Sequence, residues 1–272
     1  LLKVDRPAAL HWAAAIEVLH NASLIHDDIC DGDRLRRGRP AVWSQFGRDV
    51  ALTLGDWLVA LSFELAAEAA QRAQTPMLVK ILATHMKTTT LGEAREFDLQ
   101  PVTDWQHYLQ GAGDKTAPLL TAPIEGVATM ALHGGAAPTI GACFRALGNA
   151  YQIGNDILNF SGRDGADTCG SDLGRRAPNG VVVLFRDYLD DSRRADFDDW
   201  YRSGSDDGFE DWLAALRTSR APAEAARRMN MMLDDASRLS ESLPAELSAV
   251  IRPIQQLLQQ VCLKSVASLK QG

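Results

Sequence analysis

A chain of 272 residues, 46% of them hydrophobic, is long and apolar enough to form a sizeable core, which excludes a disordered protein. Its 35 acidic and 28 basic residues give a net charge of −7, which argues against binding nucleic acid through a broad basic surface. The four cysteines form neither CxxC pairs nor a metal-ligand spacing, so we expect reduced thiols in a cytoplasmic protein: Cys30, Cys143, Cys169 and Cys262.

The spacing of apolar residues is helical along almost the whole chain. A first helix is predicted over residues 8–31, ends near Gly32 and buries seven apolar side chains: Leu10, Ala14, Ile16, Val18, Leu19, Leu24 and Ile25. A loop is predicted over residues 36–40. Residues 41–73 predict two helices with a break between Gly47 and Gly55, and residues 75–99 predict another helix.

The second half of the chain continues the helical pattern. Residues 115–132 and 139–160 predict two apolar helices. The Gly and Pro residues between them indicate that the uncharged run over 126–144 is core helix with a break, and we expect no membrane span. A Gly-rich loop follows, then amphipathic helices; "GVVVLF" is the only short run that resembles a β-strand. Since no linker or repeat divides the chain, we predict one all-α domain over residues 1–272.

Three aspartates end the first predicted helix, and four arginines follow them, in "HNASLIHDDICDGDRLRRGRP". Asp27 and Asp31 are four residues apart and project from one face, with His20, Ser23 and Leu24 on the same stripe. Two carboxylates one turn apart at a buried helix end repel each other unless a cation joins them. Magnesium suits such a site, since it takes one or two carboxylates plus substrate phosphates. The alternative is a structural cluster in which the arginines alone neutralise the carboxylates.

A second polar stripe lies in the apolar helix over 139–160. "YQIGNDILNF" places four polar residues on one face: Gln152, Asn155, Asp156 and Asn159. Buried polar groups need partners. Two helices with oxygen-rich ends, together with Lys115 and Arg36, indicate a diphosphate held through metal ions. The alternative for the two asparagines is a hydrogen-bond network that ends the helix before Gly162.

These motifs, in this order, resemble those of the trans-isoprenyl diphosphate synthases, the polyprenyl synthetase family. "DDICDGDRLRRGRP" resembles the first aspartate-rich motif, DDxxD, with its trailing arginines, and "GDWLVALSFELAAE" resembles the next helix. "DKTAPLL" resembles the Lys-Thr motif, "YQIGNDILNF" stands where FQxxDDxxD belongs, and "GSDLGRR" stands where the family has GxDLxxGK. The resemblance covers nearly the whole chain and implies an isoprenoid synthase-type helical bundle around a deep apolar cavity.

The resemblance also implies an activity and site residues. The family joins an allylic diphosphate to isopentenyl diphosphate, and its members are usually homodimers. The implied catalytic residues are Asp27, Asp28, Asp31, Lys115 and Thr116. Two to three magnesium ions would be held by Asp27, Asp31, Asn155, Asp156 and Asn159. The implied substrate-binding residues are His20, Arg36, Arg37, Lys115 and Gln152. Ala22 and Ser23, five and four residues before Asp27, are small and would admit products of twenty carbons or longer.

The chain departs from the family pattern in three places. Asn155 and Asn159 replace the outer aspartates of the second motif, and because an amide brings no charge we expect a third metal ion to bind more weakly. The lysine after that motif falls at Asp167, and Arg175 or Arg176 are the candidates to replace it. The N-terminal GGKxxRP motif is not found, so we expect natural N-terminal helices to be missing from this sequence.

Three functions stay open on this basis. The first is a chain-elongating prenyltransferase. The second is an irregular prenyltransferase or terpene synthase, which the Asn-Asp opening of the second motif resembles, although Asn159 and Arg163 do not fit the cyclase pattern. The third is a non-catalytic subunit that regulates an active partner. Six intact residues weigh against the third: His20, Asp27, Asp31, Arg36, Arg37 and Lys115.

Overall fold

The computed structural model describes residues 2–95, 104–160 and 169–269, and this part of the chain is almost entirely helical. The helices of the first half are α1 (Arg6–Asp31), α2 (Val42–Phe46), α3 (Arg48–Arg72), α4 (Met77–Ala94) and α5 (Trp105–Met130). Those of the second half are α6 (Ala137–Asn159), α7 (Ser171–Arg175), α8 (Gly180–Asp187), α9 (Asp191–Ser203), α10 (Phe209–Thr218), α11 (Ala221–Glu241) and α12 (Ala245–Leu269). The all-α prediction is confirmed.

Local signals explain the bounds of α1. The Asp5 side chain caps its start by accepting a hydrogen bond from the Ala8 amide at 2.9 Å, and Gly32 ends it with a φ of 72°. The predicted burial of Ile16 and Leu19 is confirmed, but Leu10 is 60% exposed and Ala14 is exposed as well. The buried stripe repeats every three or four residues: Ala8, Trp12, Ala15, Leu19 and Ala22. Leu10 lies on the opposite side of the helix from that stripe, which explains the error.

The predicted loop over 36–40 is part of a small hairpin. Strand β1 (Leu35–Arg36) pairs antiparallel with β2 (Arg39–Pro40). Its turn has a positive φ at both Arg37 and Gly38, 53° and 75°. The predicted break in the next helical region lies at Gly47, between α2 and α3, and Gly55 is inside α3.

The chain divides into two compact units, and the first comprises Leu1–Lys87 and Leu119–Pro138. Its core contains Trp12, Leu19 and Ala66, with Leu78 and Leu82 of α4. The Trp12 indole donates a hydrogen bond to the Pro123 carbonyl at 3.2 Å. Helices α1 and α3 approach closely, since a Cβ at Gly55 would lie 2.1 Å from His26 Nε2.

The second unit comprises Thr88–Pro118 and Thr139–Gly272. Helix α6 is its most deeply buried long helix, with Ile140, Phe144, Leu147 and Ile153 fully buried. The run "GVVVLF", which resembles a β-strand in sequence, is the start of α8, so the helix predicted for this part of the chain is confirmed. All six of its residues are buried, and an apolar run with no exposed side has neither helical nor strand periodicity.

Other predictions have mixed outcomes. Met130 ends α5 and a 3₁₀ turn over Gly134–Ala136 precedes α6, which confirms the predicted break. The Gly-rich loop contains α7, and its residues 161–168 lie outside the described residues.

Judged by length and composition alone, one helix in the described part of the chain, α3, could cross a membrane. Only 22% of its most apolar stretch is buried. The single domain and the deep cavity stay predictions.

Candidate functional site

The first aspartate motif forms the last turn of α1, and the hairpin returns Arg36 to it. Arg36 Nε donates to Asp28 Oδ1 at 2.5 Å, and Arg36 Nη2 donates to Asp27 Oδ2 at 2.8 Å. Asp28 is 3% exposed, and its burial raises its pKa even though Arg36 opposes this shift. The structure therefore brings Asp27, Asp28 and Arg36 together in one ion-pair cluster. Such a cluster is what we expect if an arginine, without a metal ion, neutralises the carboxylates.

The donor set of this motif also fits magnesium. Asp27 and Asp31 lie one turn apart on the same face of α1. Within residues 2–95, 104–160 and 169–269, no three His, Cys, Asp or Glu side chains surround a common metal position. Magnesium needs only one or two protein carboxylates when substrate phosphates supply its other ligands. The motif thus fits a metal ion that binds together with a diphosphate.

His20 lies two turns before Asp27 on α1 and is half-buried. Desolvation by burial lowers its pKa; Glu17 opposes this, and the positive charges of Arg37 and Arg36 lower it further. His20 is therefore neutral near pH 7 and can donate one hydrogen bond. Arg37, in the hairpin turn, is exposed.

Ala22 and Ser23 occupy different sides of α1. Ala22 is fully buried and lies one turn from His26, which packs against Gly55 of α3. Ser23 is half-buried, and its hydroxyl donates to the His20 carbonyl at 2.8 Å. The role of both residues in product length stays a prediction.

Lys115 lies in α5 and is contacted by Glu93 and Gly92, two residues that the sequence motifs do not include. Its Nζ atom is 3.0 Å from Glu93 Oε2. Gly92 lies against the α5 backbone, since a Cβ there would be 2.4 Å from the Lys115 amide nitrogen. The glycine near the end of an apolar helix was the available signal for this close approach. Thr116, the next residue of the motif, is half-buried.

The second motif ends α6, and its aspartate is fully enclosed. Asp156 Oδ2 accepts hydrogen bonds from the Tyr108 hydroxyl and the Gly180 amide, both at 2.6 Å. Gln152 Nε2 donates to Asp156 Oδ1 at 3.3 Å. Burial raises the pKa of Asp156 to about 8, and the charge of Asp172 adds to the shift. Both oxygens of the Asp156 side chain therefore already accept hydrogen bonds from donors within the protein.

Asn159 also has protein partners at both ends of its amide. Its Nδ2 donates to Ser171 Oγ at 2.8 Å, and its Oδ1 accepts from the Asp172 amide at 3.2 Å. Asn155 is half-buried and does not take part in these contacts. As folded here, the second motif does not fit a metal site, and the contacts support a network that ends the helix.

Arg175 and Arg176, the two candidates to replace the family's lysine, both make contacts within the protein. The Arg176 guanidinium lies 4.0 Å from the ring centroid of Trp200 and donates to the carbonyls of Leu173, Gly174 and Ser205. Arg175 Nη2 donates to Asp172 Oδ1 at 3.2 Å. Arg176 is therefore committed to structural contacts, and Asp167 lies outside the described residues.

Comparison with known proteins agrees with these motifs. The model of the polyprenyl synthetase family matches residues 2–212. An all-trans-nonaprenyl-diphosphate synthase (geranyl-diphosphate specific) of Rhodobacter capsulatus is 34% identical over 174 residues, 63% of this chain and 52% of that protein. A geranylgeranyl diphosphate synthase of Mycobacterium tuberculosis is 34% identical over 178 residues, 63% and 50% of the two chains. The chain thus spans about half the length of these curated relatives.

Solved structures share the fold. A decaprenyl diphosphate synthase from Rhodobacter capsulatus aligns with a TM-score of 0.79 at 24% identity, covering 95% of this chain and 83% of that one. A geranylgeranyl pyrophosphate synthase from Lactobacillus brevis aligns with a TM-score of 0.80 at 22% identity, covering 96% and 80%. These likenesses confirm the predicted isoprenoid synthase-type helical fold.

Proposed function

The chain belongs to the polyprenyl synthetase family, and from that premise we propose that it is a magnesium-dependent prenyltransferase that condenses an allylic diphosphate with isopentenyl diphosphate. The observation that carries the proposal is the cluster at the end of α1. There Asp27 and Asp31 share one helix face, and Arg36 is held within hydrogen-bond distance of the same motif. Carboxylates for a metal and a guanidinium for a phosphate are thus placed together.

In the proposed reaction the allylic carbon–oxygen bond breaks, the alkene of isopentenyl diphosphate attacks the cation, and a proton is lost. Magnesium held by Asp27 and Asp31 would act as a Lewis acid on the leaving diphosphate. Arg36 has further N–H groups beyond those that Asp27 and Asp28 accept, and these donate to the allylic diphosphate.

Three other residues bind the charged ends of the substrates. Arg37, exposed in the hairpin turn, and neutral His20 bind isopentenyl diphosphate. Lys115, oriented by Glu93, stabilises the charge that develops on the leaving group.

We also propose products of twenty carbons or longer. The positions five and four residues before Asp27 hold Ala22 and Ser23, and neither side chain is large enough to block a growing chain. Each buried methylene of such a chain contributes roughly 0.8 kcal/mol. The names of the relatives, which include geranylgeranyl and nonaprenyl diphosphate synthases, are compatible with this range.

The partner that we propose is a second copy of the chain. Helix α3 exposes Val50, Leu54 and Trp57 on one face. Phe46 of α2 is exposed as well. Exposed apolar patches of this kind mark association surfaces. All four cysteines are free thiols, which is compatible with the cytoplasmic location that we propose.

A substrate panel tests the proposed activity. Dimethylallyl, geranyl, farnesyl and geranylgeranyl diphosphates are each supplied with and without isopentenyl diphosphate, in the presence of magnesium. Longer prenyl diphosphates that form only with isopentenyl diphosphate support the proposal. Hydrocarbons or alcohols that form without it contradict the proposal and identify a terpene synthase. No product from any mixture contradicts both and points to a regulatory subunit.

A further inference from the structure

We propose that Asp156 and Asn159 of the second motif anchor residues 171–180, and that this motif is not a third metal site. The metal ions of the reaction are then those that the first motif holds. The statement about the metal ions rests on the proposed function, whereas the anchor rests only on contacts within the second unit.

The first half of the anchor is Asn159. Its amide bridges α6 and α7, because Nδ2 donates to Ser171 Oγ and Oδ1 accepts from the Asp172 amide. Asn159 is 3% exposed, so its polar atoms need these partners. The Asn159 carbonyl also accepts from the Gly170 amide at 2.9 Å. These three hydrogen bonds join the end of α6 to the start of α7.

The second half of the anchor is Asp156. Its Oδ2 accepts from Tyr108 of α5 and from the backbone amide of Gly180, the first residue of α8. The first amides of a helix have no acceptor within the helix, and Asp156 supplies one for Gly180. Asp156 thus fixes the position at which α8 begins.

Asn179 closes the network between the two halves. Its Oδ1 caps α8 by accepting from the Val181 amide at 2.9 Å, and its Nδ2 donates to Asp172 Oδ2 at 2.9 Å. Residues 170–180, which include the segment at the family's GxDLxxGK position, are therefore held to α6 at both ends by protein hydrogen bonds. A metal ion on Asp156 or Asn159 would have to displace them.

The amide at position 159 is the chemically important departure. An aspartate there could also bond the Ser171 hydroxyl and the Asp172 amide, but it would bury a negative charge beside Asp156 and Asp172, whereas the asparagine makes both contacts without a charge. The loss of charge that weakens a metal site thus removes the cost of burying a carboxylate in the anchor.

Manganese binding with inorganic pyrophosphate tests the metal part. The number of Mn²⁺ ions bound per chain is measured by electron paramagnetic resonance of the free ion, for the wild type and for the Asn155→Ala, Asn159→Ala and Asp27→Ala variants. We expect the count to be unchanged by either asparagine variant and to fall in Asp27→Ala. A loss of about one ion per chain in Asn155→Ala or Asn159→Ala overturns the inference.

Thermal unfolding without metal tests the anchor. We expect Asn159→Ala to lower the Tm by roughly 3–8 °C, because it removes a buried amide and leaves the Asp172 amide and the Ser171 hydroxyl without their partner. Ser171→Ala should lower it less, and Asn155→Ala, the matched control, should leave it within about 1 °C. Equal Tm values for Asn159→Ala and Asn155→Ala overturn the anchor. A wild type that binds no Mn²⁺ with pyrophosphate contradicts the metal in the proposed function, while the Tm comparison still decides the anchor.

Discussion

At the scale of single residues, the chain shows how differently one side-chain type behaves in different surroundings. Several Asp-Asp pairs occur in the sequence, and nothing in the pairs themselves separates them. Asp28 is buried against Arg36, Asp156 is buried against Tyr108 and the Gly180 amide, and the Asp191 side chain is fully exposed. A buried aspartate needs a specific partner, and that partner, not the Asp-Asp pair in the sequence, distinguishes Asp28 and Asp156 from the aspartates at the surface.

The Asp27→Ala variant tests the first motif at this scale. It removes a proposed magnesium ligand while Arg36 keeps its ion pair with Asp28, so the fold should persist. We expect prenyl transfer to fall by at least about 100-fold, because even supporting ligands cost roughly 10–100-fold when lost. Turnover of the purified variant is compared with that of Asp191→Ala, an exposed aspartate. Undiminished turnover of Asp27→Ala, or of the wild type in excess chelator, contradicts the metal assignment.

Asp156 gives a prediction about pH. Its pKa is raised to about 8, whereas an aspartate in an unfolded chain has a pKa near 3.9. Between these values the folded protein keeps a proton that the unfolded chain releases. The stability that this group contributes is therefore complete below about pH 4 and falls as the pH rises from there to about pH 8.

The Asp156→Asn variant should lose this part of the pH dependence, because an amide oxygen can still accept from Tyr108 and Gly180. Urea unfolding at pH 5, 6, 7 and 8 gives the free energy of unfolding for both proteins. We expect the decline with pH to be shallower in the variant. Parallel curves would show that the carboxyl group of Asp156 does not titrate in this range.

At the scale of helices, small residues set how closely neighbours approach. A Cβ at Gly92 would lie 2.4 Å from the Lys115 amide nitrogen, and the obstacle is backbone that cannot rotate away. We expect Gly92→Ala to move α4 away from α5 and to lower the free energy of unfolding by about 1–3 kcal/mol through overpacking. Because Lys115 is then displaced, the variant should also bind pyrophosphate more weakly.

The matched control for Gly92→Ala is Gly141→Ala, since Gly141 lies inside α6 with open space around its Cα. This variant should be neutral or up to about 1 kcal/mol more stable, because alanine favours a helix. Chemical denaturation measures both variants. A Gly92→Ala protein as stable as Gly141→Ala would show that the two helices do not need this glycine.

Helix α1 gives a second prediction at this scale. Ala22 is fully buried one turn from His26, on the side that meets α3, whereas Ser23 is half-buried. We expect Ala22→Phe to cost about 1–3 kcal/mol by overpacking and Ser23→Phe to shorten the product. Chromatography of the products and unfolding curves separate the two effects. A stable Ala22→Phe variant with a shortened product would instead identify Ala22 as the residue that limits chain length.

At the scale of the whole molecule, the exposed apolar surface of α3 predicts self-association. Trp57 is 59% exposed among other apolar side chains, and tryptophans commonly dominate the binding energy of an interface. We expect light scattering at micromolar concentration to give the mass of a dimer for the wild type and of a monomer for Trp57→Glu.

The control for the dimer is Leu132→Glu, at a leucine that is 94% exposed outside α2 and α3, and it should remain dimeric. A monomeric wild type contradicts the prediction. Co-sedimentation of that monomer with lipid vesicles, abolished by Trp57→Glu, would assign the same apolar surface to a membrane.

The sequence by itself determined the features that depend on short separations along the chain. The helix over 8–31 and its end near Gly32 follow from apolar spacing and one glycine, and the structure places α1 at Arg6–Asp31. The shared face of Asp27 and Asp31 follows from helix geometry alone. The motifs and their order also identified the family, because they can be read without coordinates.

Only the tertiary structure decided the features that depend on distant residues. The run "GVVVLF" is apolar on all sides, and its burial on every face of α8 removes the periodicity that distinguishes a helix from a strand. The partners of Asn159 and Asp156, which are Ser171, Tyr108 and the Gly180 amide, became known only when the fold placed them there. A buried polar group takes whichever donor packing brings within about 3 Å, and residue spacing does not encode that choice.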